Sequence, residues 1–355
     1  MSDRARRTNF ARDVARLTAD WGRAGIGFAD MRRSPALEIQ YAGMLDALPR
    51  PRHAPRSEIE PLEGGIETRP TPRIDPAASR IRCFLDGAQR TLRVGRIGVA
   101  PLFVTVSAAA ILERDAGGNC AIRPGTLRLA KAWLIPRLSD APELAAAIAR
   151  IERDGGRVFD TLRLDDPDDG EVAESPDYAR LEERAAAAAK RVREELEHAL
   201  LGEWNARRVG PHGDEWLVVD GRLEFGVAHA IGLVKNVTET HLAGADAELL
   251  LGLPARHRTT AFHPIDQRRA ATTLWYLRLH DPTGRDARHG LVRLEAHSDV
   301  QRTETIDAIS SWVLAERTPR ATSDERWAVL LYPIHLLERA LKRQIEGECR
   351  GWPAS

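Results

Sequence analysis

Two apolar runs that each end in Asp-Gly constrain the fold of this chain more than any other feature. They are Ile81–Gly87 and Trp216–Gly221, and they lie far apart in the sequence. Each is short and apolar enough to form a buried strand that presents an aspartate, Asp86 or Asp220, at its C-terminal end. Asp-Gly also marks ordinary turns, which remains the alternative for either pair alone. Brought together, the two carboxylates would make a site for a divalent cation.

Strand-like and helix-like segments alternate around these two runs, which predicts an α/β fold with a mixed sheet flanked by helices. We expect residues 1–75 to form an N-terminal helix and Pro-rich connector, and residues 76–355 to form the main domain. The spacing predicts strands at 92–95, 101–106, 126–136 and 230–235, a hairpin of 274–279 with 291–295, and helices at 8–47, 175–204, 303–316 and 336–345.

Composition excludes several classes of protein. Lys+Arg and Asp+Glu are both 52, so the net charge gives no general case for nucleic-acid binding, although a local basic groove is compatible with it. Three cysteines without a CxxC pair indicate neither a disulfide framework nor a zinc cluster. The first residues lack a signal-peptide pattern, and no apolar run reaches about 18 residues, so we expect a cytoplasmic protein. P-loop, dinucleotide-binding and Gly-x-Ser-x-Gly patterns do not occur.

A third carboxylate could come from the long helix that precedes Asp220. If Val192, Leu196, Ala199 and Leu200 form its buried face, Glu195 lies at the edge of that face and is the predicted third ligand. A solvated helix surface with Glu–Arg pairs is the alternative. The choice is among four glutamates of this helix, namely Glu194, Glu195, Glu197 and Glu203.

Basic side chains near the two runs could meet a phosphate. Lys235 ends the apolar run that follows Asp220, and its ammonium would act there as a point charge. Arg90, Arg93 and Arg96 follow Asp86 at a spacing of three. We interpret them as a basic rim that guides nucleic acid, or else as the solvent side of a hairpin.

The order of these segments resembles the NurA family of DNA-repair nucleases over about residues 80 to 345. Phe84–Ala88 resembles the first family motif, a strand that ends in Asp-Gly-Ser, and Leu217–Leu223 resembles the second, which contains Asp-Gly-x-Leu. Ile231–Lys235 is similar to the segment after it, and Leu291–Glu295 to a late Arg-x-Glu strand. Tyr332 and Pro333 begin a segment similar to the C-terminal Tyr-Pro motif.

This resemblance implies a ribonuclease H-like fold and cleavage of DNA that depends on Mn²⁺ or Mg²⁺. Asp86 and Asp220 would be metal ligands, Glu195 would be the glutamate that precedes the second motif, and Lys235 would assist the chemistry. The resemblance also implies a homodimer that processes DNA ends with a HerA-type hexameric translocase, in DNA repair or defence.

The chain departs from the family pattern at two places. Ala88 stands where Ser is usual, and Arg339 and Ala340 stand where the Tyr-Pro motif usually ends in Ala-His. His335 could substitute for that histidine. The second departure keeps an alternative open, namely a catalytically weak DNA-binding or helicase-docking module.

Overall fold

A large mixed sheet organises the computed structural model, which describes residues 9–40, 58–115, 117–163, 177–207, 214–223, 226–237, 240–265, 272–317 and 325–353. In chain order the strands are β1 (Phe28–Asp30), β2 (Ile59–Pro61), β3 (Thr68–Pro70), β4 (Ile81–Ile97), β5 (Ala100–Arg114), β6 (Cys120–Ile122), β7 (Arg128–Ile135), β8 (Val158–Asp160), β9 (Trp216–Asp220), β10 (Ala230–Val234), β11 (His257–Thr259), β12 (Phe262–Pro264), β13 (Thr272–Arg278) and β14 (Leu291–His297).

The helices lie on both faces of this sheet. They are α1 (Phe10–Arg23), α2 (Leu37–Gln40), α3 (Pro142–Arg153), α4 (Tyr178–Arg207), α5 (Ala245–Leu251), α6 (Thr303–Glu316) and α7 (Tyr332–Cys349). The bounds predicted for α6 are those observed, and the hairpin of β13 and β14 is confirmed. Within the described part of the chain, no helix combines the length and the apolar composition needed to cross a bilayer.

Parallel pairing occurs at the centre of the sheet. The strand order is β2-β12-β13-β14-β10-β9-β4-β5-β7-β8. Strand β9 pairs in parallel with both β4 and β10, whereas β4–β5 and β10–β14 are antiparallel. The fold is therefore α/β with a mixed sheet flanked by helices. The carboxyl ends of β9 and β10 meet at the same level, beside the middle of β4.

The two faces of the central strands pack against different helices. Phe84 and Val218 belong to a core cluster that includes Leu337 of α7. Leu85 and Val219 point the other way and belong to a cluster that includes residues from the C-terminal half of α4. This alternation follows from the period of two along a strand, and it determines which helix approaches each residue of the site.

The described part of the N-terminal segment pairs with the main sheet and packs into the same core. Strands β1, β2 and β3 pair with β4, β12 and β11, and Trp21 of α1 is fully buried. The predicted helix over 8–47 ends at Arg23 instead, since Gly25 follows with φ of 72°, a conformation that commonly terminates helices. Residues 41–47 lie outside the described residues.

Asp86 and Gly87 lie inside a strand. Both sequence-based expectations for this pair, a strand end and a turn, are therefore wrong. Strand β4 continues through them, and Gly87 pairs with Ala109 of β5. The chain reverses later, at Gly98, where φ is 55°. On its other edge β4 loses its partner at this level, because β9 ends at Asp220. Asp86 is therefore placed at a discontinuity of the sheet without being at the end of its own strand.

Candidate metal centre

The structure brings Asp86 and Asp220 together on adjacent parallel strands. The last paired residues of β4 and β9 are Leu85 and Val219, so the two aspartates are the next residues along. Both follow Phe84 and Val218 by two positions and therefore point to the same face of the sheet. Neighbouring strands lie about 4.8 Å apart, which sets the scale of the separation between the two backbones.

Lys235 joins this pair from the third parallel strand. Leu233 of β10 pairs with Asp220, and Lys235 follows two residues later on the same face. Its Nζ lies 2.6 Å from Asp220 Oδ2, and side-chain exposure is 19% for Lys235 and 22% for Asp220. A charge-assisted hydrogen bond of this length in a mostly buried setting fixes the aspartate carboxylate. The predicted meeting of Lys235 with the strand ends is thus present, with a carboxylate as its partner.

Asp86 is the most deeply buried acid of the group. Its Oδ1 accepts a hydrogen bond from the Gly87 backbone N–H at 2.8 Å. Burial raises the pKa of Asp86 well above its ordinary value, and the negative charges of Asp220, Glu197 and Glu338 raise it further, whereas Lys235 lowers it. Lys235, Arg193 and Lys342 pair with Asp220, Glu197 and Glu338, so Asp86 is the carboxyl group of these four whose ionisation an added cation would favour.

Glu197, rather than Glu195, is the α4 glutamate that approaches the aspartates. Its carboxyl group packs directly on Gly87, where any side chain would collide with it. Its side chain is 15% exposed, and its Oε1 lies 3.2 Å from Arg193 Nε. Burial raises the pKa of Glu197 to about 7, opposed by Arg193 and reinforced by the charges of Glu194 and Asp220.

The prediction of Glu195 as third ligand is contradicted by its position. Its side chain is 43% exposed, and its Oε2 accepts a hydrogen bond from Arg157 at 2.8 Å. The prediction assumed that Ala199 is buried, but Ala199 is exposed, so the buried face of α4 is rotated toward Glu197. The other two candidates pair elsewhere, Glu194 with Lys190 and Glu203 with Arg128.

The predicted basic rim is divided between two environments. Arg93 is buried, where it pairs with Glu182, hydrogen-bonds to Tyr178 Oη at 3.0 Å and lies over the ring of Phe103. It is unable to contact DNA from this position. A spacing of three on a strand places Arg90 and Arg93 on opposite faces, and the register shifts between Arg93 and Gly95, before Arg96. Arg90 and Arg96 are exposed and remain candidates.

Helix α7 supplies an acid that the sequence did not single out. Glu338 acts on the pKa of Asp86 from α7, and its Oε1 lies 3.3 Å from Lys342 Nζ. The sequence pattern that could have indicated Glu338 is its position next to Leu337, at the edge of the apolar face of α7. Arg339, at the position of the family's alanine, is exposed, and Ala340 is half-buried. His335 lies one turn before Glu338 and is half-buried.

The donor set fits a hard divalent cation held by few protein ligands. Among the described residues, no three His, Cys, Asp or Glu side chains are grouped closely enough to hold a metal ion together. Mg²⁺ commonly uses one or two carboxylates and completes its shell with water and substrate phosphates. The Asp86–Asp220 pair satisfies that requirement, and Glu197 and Glu338 lie around it. Comparison with models of known protein families gives no match, and comparison with curated proteins finds no relative.

Proposed function

We propose that this chain is a divalent-metal-dependent DNA nuclease whose centre is the Asp86–Asp220 pair, on a sheet of ribonuclease H-like type. The observation that carries the proposal is the convergence of two separate Asp-Gly segments and Lys235 at neighbouring strand positions. The sequence resemblance to NurA nucleases supports the same reading, because the converging residues are those that match the family motifs. The large mixed sheet flanked by helices is compatible with it.

Asp86 and Asp220 would hold the cation, Mn²⁺ or Mg²⁺. Such an ion, when bound, polarises a phosphate oxygen and lowers the pKa of a bound water. Asp86 has to be ionised to act as a ligand, so cation binding would release the proton that burial favours. Glu197 packs on Gly87 from the α4 side and would act on the aspartates through its charge and through the position of the β4 backbone.

Lys235 would supply fixed positive charge beside the scissile phosphate. Its ammonium is held by Asp220 and is mostly buried, so its charge is weakly screened. That charge stabilises the negative charge that develops on the phosphate during hydrolysis. Arg90 and Arg96 are exposed beyond Asp86 on β4 and would steer the DNA strand by attraction to its backbone.

The resemblance extends the proposal to partners. We expect a homodimer that receives DNA from a HerA-type hexameric translocase, in DNA repair or defence. Size-exclusion chromatography with light scattering would measure the oligomeric state, and a translocase encoded beside this chain is the partner to test. A monomer that neither binds that translocase nor responds to it would contradict this part.

A helicase-docking or DNA-binding module with weak catalysis is the second candidate. It is favoured by Arg339 and Ala340, which provide no imidazole at the Ala-His positions of the family motif. The two candidates make opposite predictions for cleavage. A docking module would bind DNA or the translocase equally well after either aspartate is removed.

Digestion of linear DNA with Mn²⁺ tests the proposal. Wild-type protein is compared with Asp86→Asn, Asp220→Asn and the matched control Asp214→Asn, whose side chain is 84% exposed near the opposite end of β9. We expect the two site variants to lose at least about 100-fold in rate and the control to retain the wild-type rate. Equal digestion by all four proteins would indicate a contaminant and reject the nuclease.

A further inference from the structure

The backbone that follows Asp220 is folded back across the sheet. Gly221 has a φ of 141°, which favours glycine, and its N–H donates to Leu233 O at 3.1 Å. Leu223 then packs over β10, and it is buried. A side chain at Gly232 would lie 2.9 Å from Gly221 O and 3.1 Å from Leu223 N, so this turn needs the glycine beneath it.

Glu295 holds the far end of that turn. It pairs across the sheet with Gly232, and its Oε2 accepts a hydrogen bond from the Leu223 N–H at 2.8 Å in a buried environment. Its Oε1 lies 2.8 Å from Arg293 Nη2 and accepts from Nε at 3.0 Å. The side chains of Arg293 and Glu295 are 2% and 3% exposed. One oxygen is therefore committed to the arginine and the other to the backbone next to the site.

We propose that Glu295 is a positioning residue for Asp220, acting through the Leu223 N–H and the turn that connects the two. The inference rests on the proposed function for its consequence in catalysis. The geometry itself does not depend on it. Asp220 is held on its strand side by β10, where it pairs with Leu233, and on its side-chain side by Lys235. The exit of the chain from the site is held by Glu295, which limits how far the carboxylate can tilt.

Two variants of the same size separate positioning from mere charge pairing. Glu295→Gln and Glu295→Met both leave Arg293 without its carboxylate partner. Glutamine keeps a carbonyl oxygen that can accept from Leu223 N–H, whereas methionine does not. Because the glutamine oxygen can accept from Leu223 N–H or from Arg293, the hydrogen bond to the turn is reported by a difference between the variants at the Leu223 amide itself. Gly232→Ala disturbs the same turn from below, and Gly202→Ala, in open space on α4, is its control.

The first readout is amide exchange of the metal-free 355-residue chain. We expect exchange at Leu223 to be at least tenfold faster in Glu295→Met than in Glu295→Gln, with exchange along α4 equal in both. Gly232→Ala should accelerate the same amide and Gly202→Ala should not. Equal exchange at Leu223 in the Gln and Met variants would overturn the inference.

The second readout is the position of Lys235, which reports on Asp220 without metal. The chain has four lysines, so reductive ¹³C-methylation gives few lysine signals to assign. The Lys235 signal should move in Glu295→Met and stay near the wild-type position in Glu295→Gln, while the other three lysine signals stay unchanged. Altered exchange with an unmoved Lys235 signal would overturn positioning of Asp220.

Mn²⁺ titration of the same proteins then separates the two proposals. We expect the dissociation constant for Mn²⁺ to rise at least tenfold in Glu295→Met relative to Glu295→Gln. If wild-type protein binds no Mn²⁺ while the exchange and Lys235 readouts respond as described, the positioning role is supported and the metal-dependent function fails. If wild-type protein binds Mn²⁺ and the Gln and Met variants bind it equally, the positioning role is overturned.

Discussion

The ammonium of Lys235 lies 2.6 Å from Asp220 Oδ2, and this ion pair stands beside the buried carboxyl group of Asp86. Lysine is rare in this chain, with four residues against a combined Lys+Arg count of 52. Its compact ammonium reaches the strand ends where a forked guanidinium would need more room and more acceptors. The pair thus concentrates one positive charge at the point where carboxyl groups are in excess.

Replacing Lys235 with Met should shift the pH dependence of cleavage. Lys235 lowers the pKa of Asp86, so its removal raises that pKa and moves the acidic limb of the rate–pH profile to higher pH. We also expect the rate at the optimum to fall by about 100-fold, as when one stabilising charge is lost from a transition state. Lys131→Met, which breaks a pair with Glu348, is the control. An acidic limb at the same pH in Lys235→Met and wild type would contradict this role.

Glu197 and Glu195 should differ sharply in their effect on cleavage. Glu197→Gln alters a carboxyl group packed on Gly87, and we expect about a tenfold loss of rate, as for residues that orient metal ligands. Glu195→Gln breaks an exposed pair with Arg157 and should leave the rate unchanged. Single-turnover cleavage with saturating Mn²⁺ measures both. A larger loss for Glu195→Gln would reverse the assignment of the neighbouring carboxylate.

Glu197 should also make stability depend on pH. Its pKa of about 7 in the folded state exceeds its ordinary 4.5. Between these values the folded state holds the proton more tightly, so stability falls as pH rises and the loss is complete above pH 7. Glu197→Gln should therefore raise the free energy of unfolding by about 1–2 kcal/mol at pH 8 and change it little at pH 4.5. Urea denaturation at the two pH values measures this. Destabilisation by Glu197→Gln of equal size at pH 8 and pH 4.5 would argue against a buried Glu197 with a raised pKa.

The Glu63–Arg258 pair should show the opposite dependence. Hydrogen bonds from Arg258 and Ala261 overcome the effect of burial and lower the pKa of Glu63 to about 2, and the guanidinium of Arg258 is fully buried. The stabilisation is present above the ordinary value of 4.5 and is lost as pH falls toward 2.

Removing that carboxylate should be costly near neutral pH. We expect Glu63→Gln to lower the free energy of unfolding by about 2–3 kcal/mol at pH 7, because Arg258 is left buried with less compensation, and by much less near pH 2. Glu67 is the control, because its side chain is exposed and its Oε2 lies 3.6 Å from Arg69 Nη2. Glu67→Gln should change the free energy of unfolding by less than about 0.5 kcal/mol. A loss for Glu63→Gln that does not diminish in acid would exclude the proposed linkage.

Several strands and helices could be predicted from the sequence because their patterns of apolar residues are local. The apolar runs predicted β9 and β10, and the period of 3.6 predicted α6. The convergence of Asp86, Asp220 and Lys235 was predicted by placing each residue at the end of an apolar run, although Asp86 lies within β4.

The contributions of Glu197, Arg93 and the N-terminal segment depended on long-range packing. The choice between Glu195 and Glu197 turns on the rotation of a long alanine-rich helix, and alanine gives little indication of facing. Arg93 is buried because Glu182 of α4 lies opposite it, which no local pattern reveals. Short strands such as β2 and β3 are defined by pairing with strands that are distant in the sequence. They have too few residues to show a periodic pattern.

Mn²⁺ binding followed by electron paramagnetic resonance tests the central assignment most directly. Free Mn²⁺ gives a strong signal that diminishes when the ion is bound, so the stoichiometry is read from a titration of the 355-residue chain. We expect one ion per chain in wild type and in Asp214→Asn, and at least about a 100-fold weaker affinity in Asp86→Asn and Asp220→Asn. Unchanged Mn²⁺ affinity in both aspartate variants would contradict the assignment of the Asp86–Asp220 pair as the metal centre.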